Sequence, residues 1–204
     1  MNANGSADRF GEVVEASVER LVGQCHRLYE VPPLGTLVRA GDAVFGVVSG
    51  ITTAALDPTR RIIARGADAA TEAEVYAEHP QLEMLLRTDV TVSVVGHRAD
   101  GRGEPRQYLP SLPPRIHTFL YVCAPQEVLA FLGGSSEPRL DFVTLLVGGG
   151  PVADDVLAAV LRQVSTAFDA PREFLMQASR AVAVLLSGDT ARLNAIVRRL
   201  PLDG

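Results

Sequence analysis

The chain has 204 residues and a formal net charge of −5, with 47% apolar and 21% charged residues. That balance excludes a disordered chain and leaves room for one moderate domain or two small ones. All 19 basic residues are arginine. Without lysine no GxxxxGK[ST] phosphate loop can be completed and no side-chain Schiff base can form. Aromatics are only 5% and Trp is absent, so the core must come mainly from Val, Leu, Ile and Ala. Residues 1–123 carry 12 arginines against 15 acids, and the remainder carry 7 against 9. Neither part has the basic excess that drives binding to nucleic-acid phosphates. Cys25 and Cys123 match no disulfide framework or metal spacing and fit small apolar residues of a reducing cytoplasm. The opening MNANGSADRF lacks the apolar run of a signal peptide, and no window approaches 18 apolar residues. A cytoplasmic protein is expected.

In chain order, Phe10–Val18 alternates loosely and is valine-rich, and Leu21–Tyr29 reads as a bent strand with a glycine at 23. After Pro32-Pro33, Gly35–Ala40 reads as a short strand closed by Gly41-Asp42. Ala43–Thr53 is the clearest strand, β-branched and carrying two glycines that permit coiling. Asp57-Pro58 marks a turn. An acidic piece, Thr71–Glu74, precedes Gln81–Arg87, which predicts one helix of about two turns. This stretch reads as an excursion out of a barrel between two strands. Asp89–His97 is a further strand, with valine at 90, 92 and 94. Ala99–Pro105 is a polar loop, and Tyr108–Pro114 is held extended by its prolines. Ile116–Val122 closes the strand-rich part.

Helical patterns follow. Val128, Leu129, Phe131 and Leu132 share one face, and a second segment runs from Leu140 to Leu146. Gly148-Gly149-Gly150 precedes the strongest helix, with Val156, Leu157, Val160, Leu161, Val164 and Phe168 in one stripe. Asp154-Asp155 suits the positive end of that helix. A fourth helix is expected from Asp169 as N-cap, and a last one from Asp189. The fold class expected is therefore α+β: a small N-terminal β-barrel over residues 8–122, with a helical excursion near 71–88, then a C-terminal α-helical bundle over 123–202.

The candidate chemical sites are sparse. His26, His79, His97 and His117 form no HxH, HxxxH or HExxH spacing. The glycine run at 148–150 reads better as a linker than as an anion cradle. No serine stands in a GxSxG setting. Arginine is the remaining feature: Arg60, Arg61 and Arg65 follow the Asp57-Pro58 turn, and Arg98 and Arg102 populate the polar loop. Together these could line one rim of a barrel and dock a carboxylate-rich partner.

Phe10–Ser17, Pro33–Val38, Val44–Val48 and the proline run Tyr108–Pro114 together resemble the HAS-barrel family. This is the N-terminal β-barrel of HerA-type DNA-translocating ATPases, related to the N-terminal barrel of rotary ATP synthase catalytic subunits. The likeness covers roughly residues 8–122. It implies a barrel that holds subunits together or docks accessory proteins. The motor that follows the barrel in those ATPases has no counterpart here, so the chain resembles a small stand-alone bacterial HAS-barrel protein. The function expected is a non-enzymatic assembly or adaptor module that binds a protein partner or itself, with no cofactor and no nucleotide. Two rivals stand beside it. One is a barrel binding single-stranded nucleic acid as an accessory to DNA processing. The other is a small metal-dependent hydrolase using His26, His97 and His117.

Overall fold

The computed structural model describes residues 9–59, 61–148 and 151–201. Six strands form: β1 (Arg9–Ala16), β2 (Arg20–Cys25), β3 (Leu37–Ala40), β4 (Val44–Ala55), β5 (Leu86–His97) and β6 (Phe119–Val122). They close into a barrel in the order β1-β2-β5-β4-β3-β6, with β6 pairing back onto β1 and every pairing antiparallel. Closure removes the open sheet edges that would otherwise need cover.

Valine periodicity decides the faces. Val90, Val92 and Val94 fill the barrel together with Val13, Leu21, Val38, Val48 and Leu120. Their neighbours in sequence point the other way. Leu37, Phe45, Val47 and Val95 face outward and join a second apolar cluster built with the helices. The first half of β4, Val44–Val48, is thus buried on both faces, and for that reason it is a continuous apolar run rather than an alternating one.

The helices that follow β6 are α3 (Pro125–Phe131), α4 (Val143–Val147), α5 (Pro151–Ser165), α6 (Pro171–Leu185) and α7 (Thr190–Val197), taking the excursion helices as α1 (Glu72–Glu78) and α2 (Leu82–Leu85). Val156, Leu157, Val160, Leu161 and Val164 of α5 lie in the cluster that also holds Phe45 and Val47, so one apolar core crosses from barrel to helices. Phe131 is its centre, with ring centroids 5.1 Å from Phe45 and 5.7 Å from Phe142. Gly35 has φ +84°, and a Cβ there would collide with the Ala159–Val160 peptide of α5. Only glycine serves that close approach. Arg39 on β3 adds a polar tie, its Nε donating to Glu127 of α3 at 2.8 Å while its guanidinium lies 4.3 Å from the Tyr121 ring centroid.

Three local expectations change. The helix expected over Gln81–Arg87 is only Leu82–Leu85, because Leu86 and Arg87 pair with Ala55 and Ala54 and extend β5 instead. The N-cap of α6 is Ala170 rather than Asp169, with Pro171 supplying the first helical position. Asp154 does more than face a helix dipole: buried, it takes Arg192 of α7 on both carboxylate oxygens, at 2.6–2.9 Å. Arg192 also donates to the Val147 carbonyl of α4, so one guanidinium ties three helices. Its neighbour Asp155 points away and pairs with Arg199. Among the described residues no helix is long and apolar enough to cross a membrane.

Candidate interaction surface

The β4·β5 ribbon outruns the barrel. β2 pairs with β5 only between Asp89 and Ser93, whereas β4 pairs with β5 out to Ala55↔Leu86. The end of the ribbon, Thr53, Ala54 and Ala55 paired with Thr88, Arg87 and Leu86, therefore lies beyond β2 and β3, and the excursion is carried there. Neither α1 nor α2 contains a buried residue. Ile62 and Ile63 are 60% and 70% exposed, and Leu56, Met84 and Leu85 are exposed as well. Leu56, Ile62, Ile63, Leu82 and Leu85 surround a cavity of about 250 Å³ whose polar lining includes Arg61 and Arg65. Apolar side chains gathered around one opening carry more information than single exposed ones, which are ordinary on a protein surface.

The excursion is fastened by polar contacts instead of a core. Tyr29, held at φ +64° in the loop after β2, accepts strain rare for an aromatic residue. Its N–H donates to the hydroxyl of Thr88, and its own hydroxyl meets that of Tyr76 on α1 at 2.5 Å. That hydrogen bond, followed by burial and the nearby charges of Glu72 and Glu83, pushes the Tyr76 phenol up to about 12. Thr88 is buried and also bonds Thr53 across the ribbon at 3.0 Å. At the N-terminus of α1, Thr71 accepts from the Glu74 N–H, the capping the residue type favours.

The candidate arginines do not converge. Arg60 lies outside the described residues. Arg61 and Arg65 stand exposed at the excursion cavity and make no ion pair among the described residues. Arg98 follows β5 at the opposite end of the ribbon, where Val44 pairs with His97. Its guanidinium lies 4.9 Å from the Phe45 ring centroid and covers the core there. Arg102 is exposed beside that same end, after the turn Ala99–Gly101. The length of β4 thus separates Arg61 and Arg65 from Arg98 and Arg102.

The histidines are likewise dispersed. His26 follows β2 near the Thr88 end of β5 and packs edge-on against Phe119. His97 ends β5 at the other end, with Nδ1 3.1 Å from the Tyr108 carbonyl oxygen. His117 reaches Glu12 at 3.2 Å on β1. Among the described residues no three His, Cys, Asp or Glu side chains are grouped as metal ligands would be. Of the barrel aromatics that could stack a base, Phe45 is fully buried under the helices, while Tyr29 is committed to Tyr76. Gly149 and Gly150 lie outside the described residues.

Both thiols are buried. Burial, with Asp89 second, pushes Cys25 up to about 11. Burial, with Glu127 second, pushes Cys123 up to about 12. Neither is a nucleophile at neutral pH. The signal that reading the sequence passed over is Arg61-Ile62-Ile63-Ala64-Arg65: two isoleucines flanked by arginines in a segment with no periodicity to bury them. No model of a known protein family matches the chain, and no curated protein matches it.

Proposed function

We propose that this protein is a non-enzymatic assembly module: a HAS-type β-barrel backed by a C-terminal helical bundle, which binds a protein partner or a second copy through the excursion on the β4·β5 ribbon. The observation that carries the reading is the exposure of Ile62 and Ile63 beside Arg61 and Arg65, which make no ion pair among the described residues, on an excursion whose helices hold no fully buried residue. Those apolar side chains add little to the stability of the isolated chain, since the hydrophobic gain scales with area removed from water and most of theirs stays in it. Covered by another protein, they would contribute the apolar centre of an interface, with the guanidiniums in its polar rim. The closed barrel over β1–β6 is compatible with the family resemblance of residues 8–122.

The test is the double variant Ile62→Asp, Ile63→Asp, compared with wild type for association by light scattering and by binding to any protein that co-purifies stoichiometrically. The expected result is loss of association with an unchanged circular-dichroism spectrum, and a melting temperature unchanged at a concentration where the wild type is monomeric. Association that survives both substitutions undiminished would overturn the reading.

A further inference from the structure

Charge is segregated along the excursion. After Asp57, Arg60, Arg61 and Arg65 come first, and Asp68, Glu72, Glu74, Glu78 and Glu83 come after. The fold keeps this order in space. The cavity bearing Arg61 and Arg65 shares Arg65, Ile62 and Ile63 with a second cavity lined by Glu72 and Tyr76. The second in turn shares Glu72 and Tyr76 with a third that reaches Glu83. The surface therefore runs from an end where Arg61 and Arg65 outnumber Asp57, through exposed isoleucines, to an end where Glu72 and Glu83 stand beside the paired Arg27 and Glu30. Arg61, Arg65, Glu72 and Glu83 form no ion pair or side-chain hydrogen bond among the described residues.

A surface with opposite charges at its two ends and an apolar middle is complementary to itself when turned by a two-fold axis through the middle. In such an isologous contact residue i of one copy meets residue j of the other, and j meets i. We propose that the occupant of this surface is a second copy of the same chain, seated so that Arg61 and Arg65 of each copy face Glu72 and Glu83 of its partner while the Ile62–Ile63 segments meet at the axis. The excursion spans residues 56–85, on the scale of the about 20–30 residues that a standard interface takes from each side. The like-charged alternative is disfavoured by the same pattern. An acidic partner would be repelled by Glu72–Glu83, and a basic one by Arg61–Arg65. The inference rests on the assembly reading above and names its partner.

The test reverses one end at a time. Arg61→Glu with Arg65→Glu makes the surface acidic throughout, and Glu72→Arg with Glu83→Arg makes its ends basic. Wild type is expected as a dimer of the 21.7 kDa chain by sedimentation equilibrium. Each reversed variant alone should weaken self-association by about 100-fold or more. An equimolar mixture of the two should recover a heterodimer, because acidic then meets basic at both ends. Recovery also demonstrates that both variants are folded. Wild type that stays monomeric at its highest soluble concentration overturns the proposal. So does a dimer indifferent to either reversal, or a mixture that fails to recover although both variants show native circular dichroism. The assembly reading survives any of these if Ile62→Asp, Ile63→Asp still abolishes binding to a different protein, so the two failures are distinguishable.

Discussion

Phe45 and Ile62 are both large apolar residues near one strand's ends, yet the first is fully buried and the second is 60% exposed. Around Phe45 the chain has two uses for apolar surface, because one face of β4 fills the barrel and the other receives α5 and Phe131. Beyond the barrel the same ribbon has no second layer, and the chain still carries Leu56, Ile62, Ile63 and Leu85 there. The body is organised by burial, and the excursion by a few hydrogen bonds between Tyr29, Thr88, Tyr76 and the Thr71 cap. Apolar content alone therefore does not report stability; what covers it does.

Substitutions in the two regions should separate accordingly. Phe131→Ala removes the ring between Phe45 and Phe142 and is expected to cost about 4 kcal/mol, measured by urea unfolding. A cost under about 1 kcal/mol would break the claim that barrel and helices share one core. Asp154→Ala leaves Arg192 without its bidentate partner, and about 2 kcal/mol is expected because that guanidinium is partly open to water. Hydrogen exchange should show the loss first in α7.

Alkaline pH sharpens the comparison at a smaller scale. Both thiols are raised in the folded chain, so their contribution is fully present below the ordinary thiol value of 9.0. It is lost as pH rises toward about 11 for Cys25 and about 12 for Cys123. The urea midpoint should fall across that window, and Cys123→Ala should flatten the fall. Smallest of all is the effect of Ile62→Ser with Ile63→Ser on the isolated chain, expected within about 0.5 kcal/mol of wild type. A larger loss at a concentration where the chain is monomeric would mean that the excursion is part of the core after all.

Much of the body was legible. The valines at 90, 92 and 94 and the unbroken Val44–Val48 run carry their burial in their spacing, and the α5 stripe from Val156 to Val164 does the same. Asp189 caps α7 as its residue type predicts, accepting from the Arg192 N–H. The excursion was legible as an interruption but not in its structure. Leu86 and Arg87 continue a helical pattern and are claimed by β5 through pairing with Ala55 and Ala54, 31 and 33 positions away, a non-local contact that no local periodicity reports. The arginines were legible as a group by composition. That β4 parts Arg61 and Arg65 from Arg98 and Arg102 follows only from the register of the ribbon. The Asp154–Arg192 pair was hidden for a similar reason, since α5 and α7 meet only through tertiary packing.

The most direct measurement of the account is hydrogen exchange followed by mass spectrometry at low and high protein concentration. The account predicts that amides of residues 61–65 and 82–86 become protected as concentration rises, while those of β1–β3 and α5 stay as they are. Protection that is independent of concentration in the excursion, or that rises on α3–α7 instead, would contradict it.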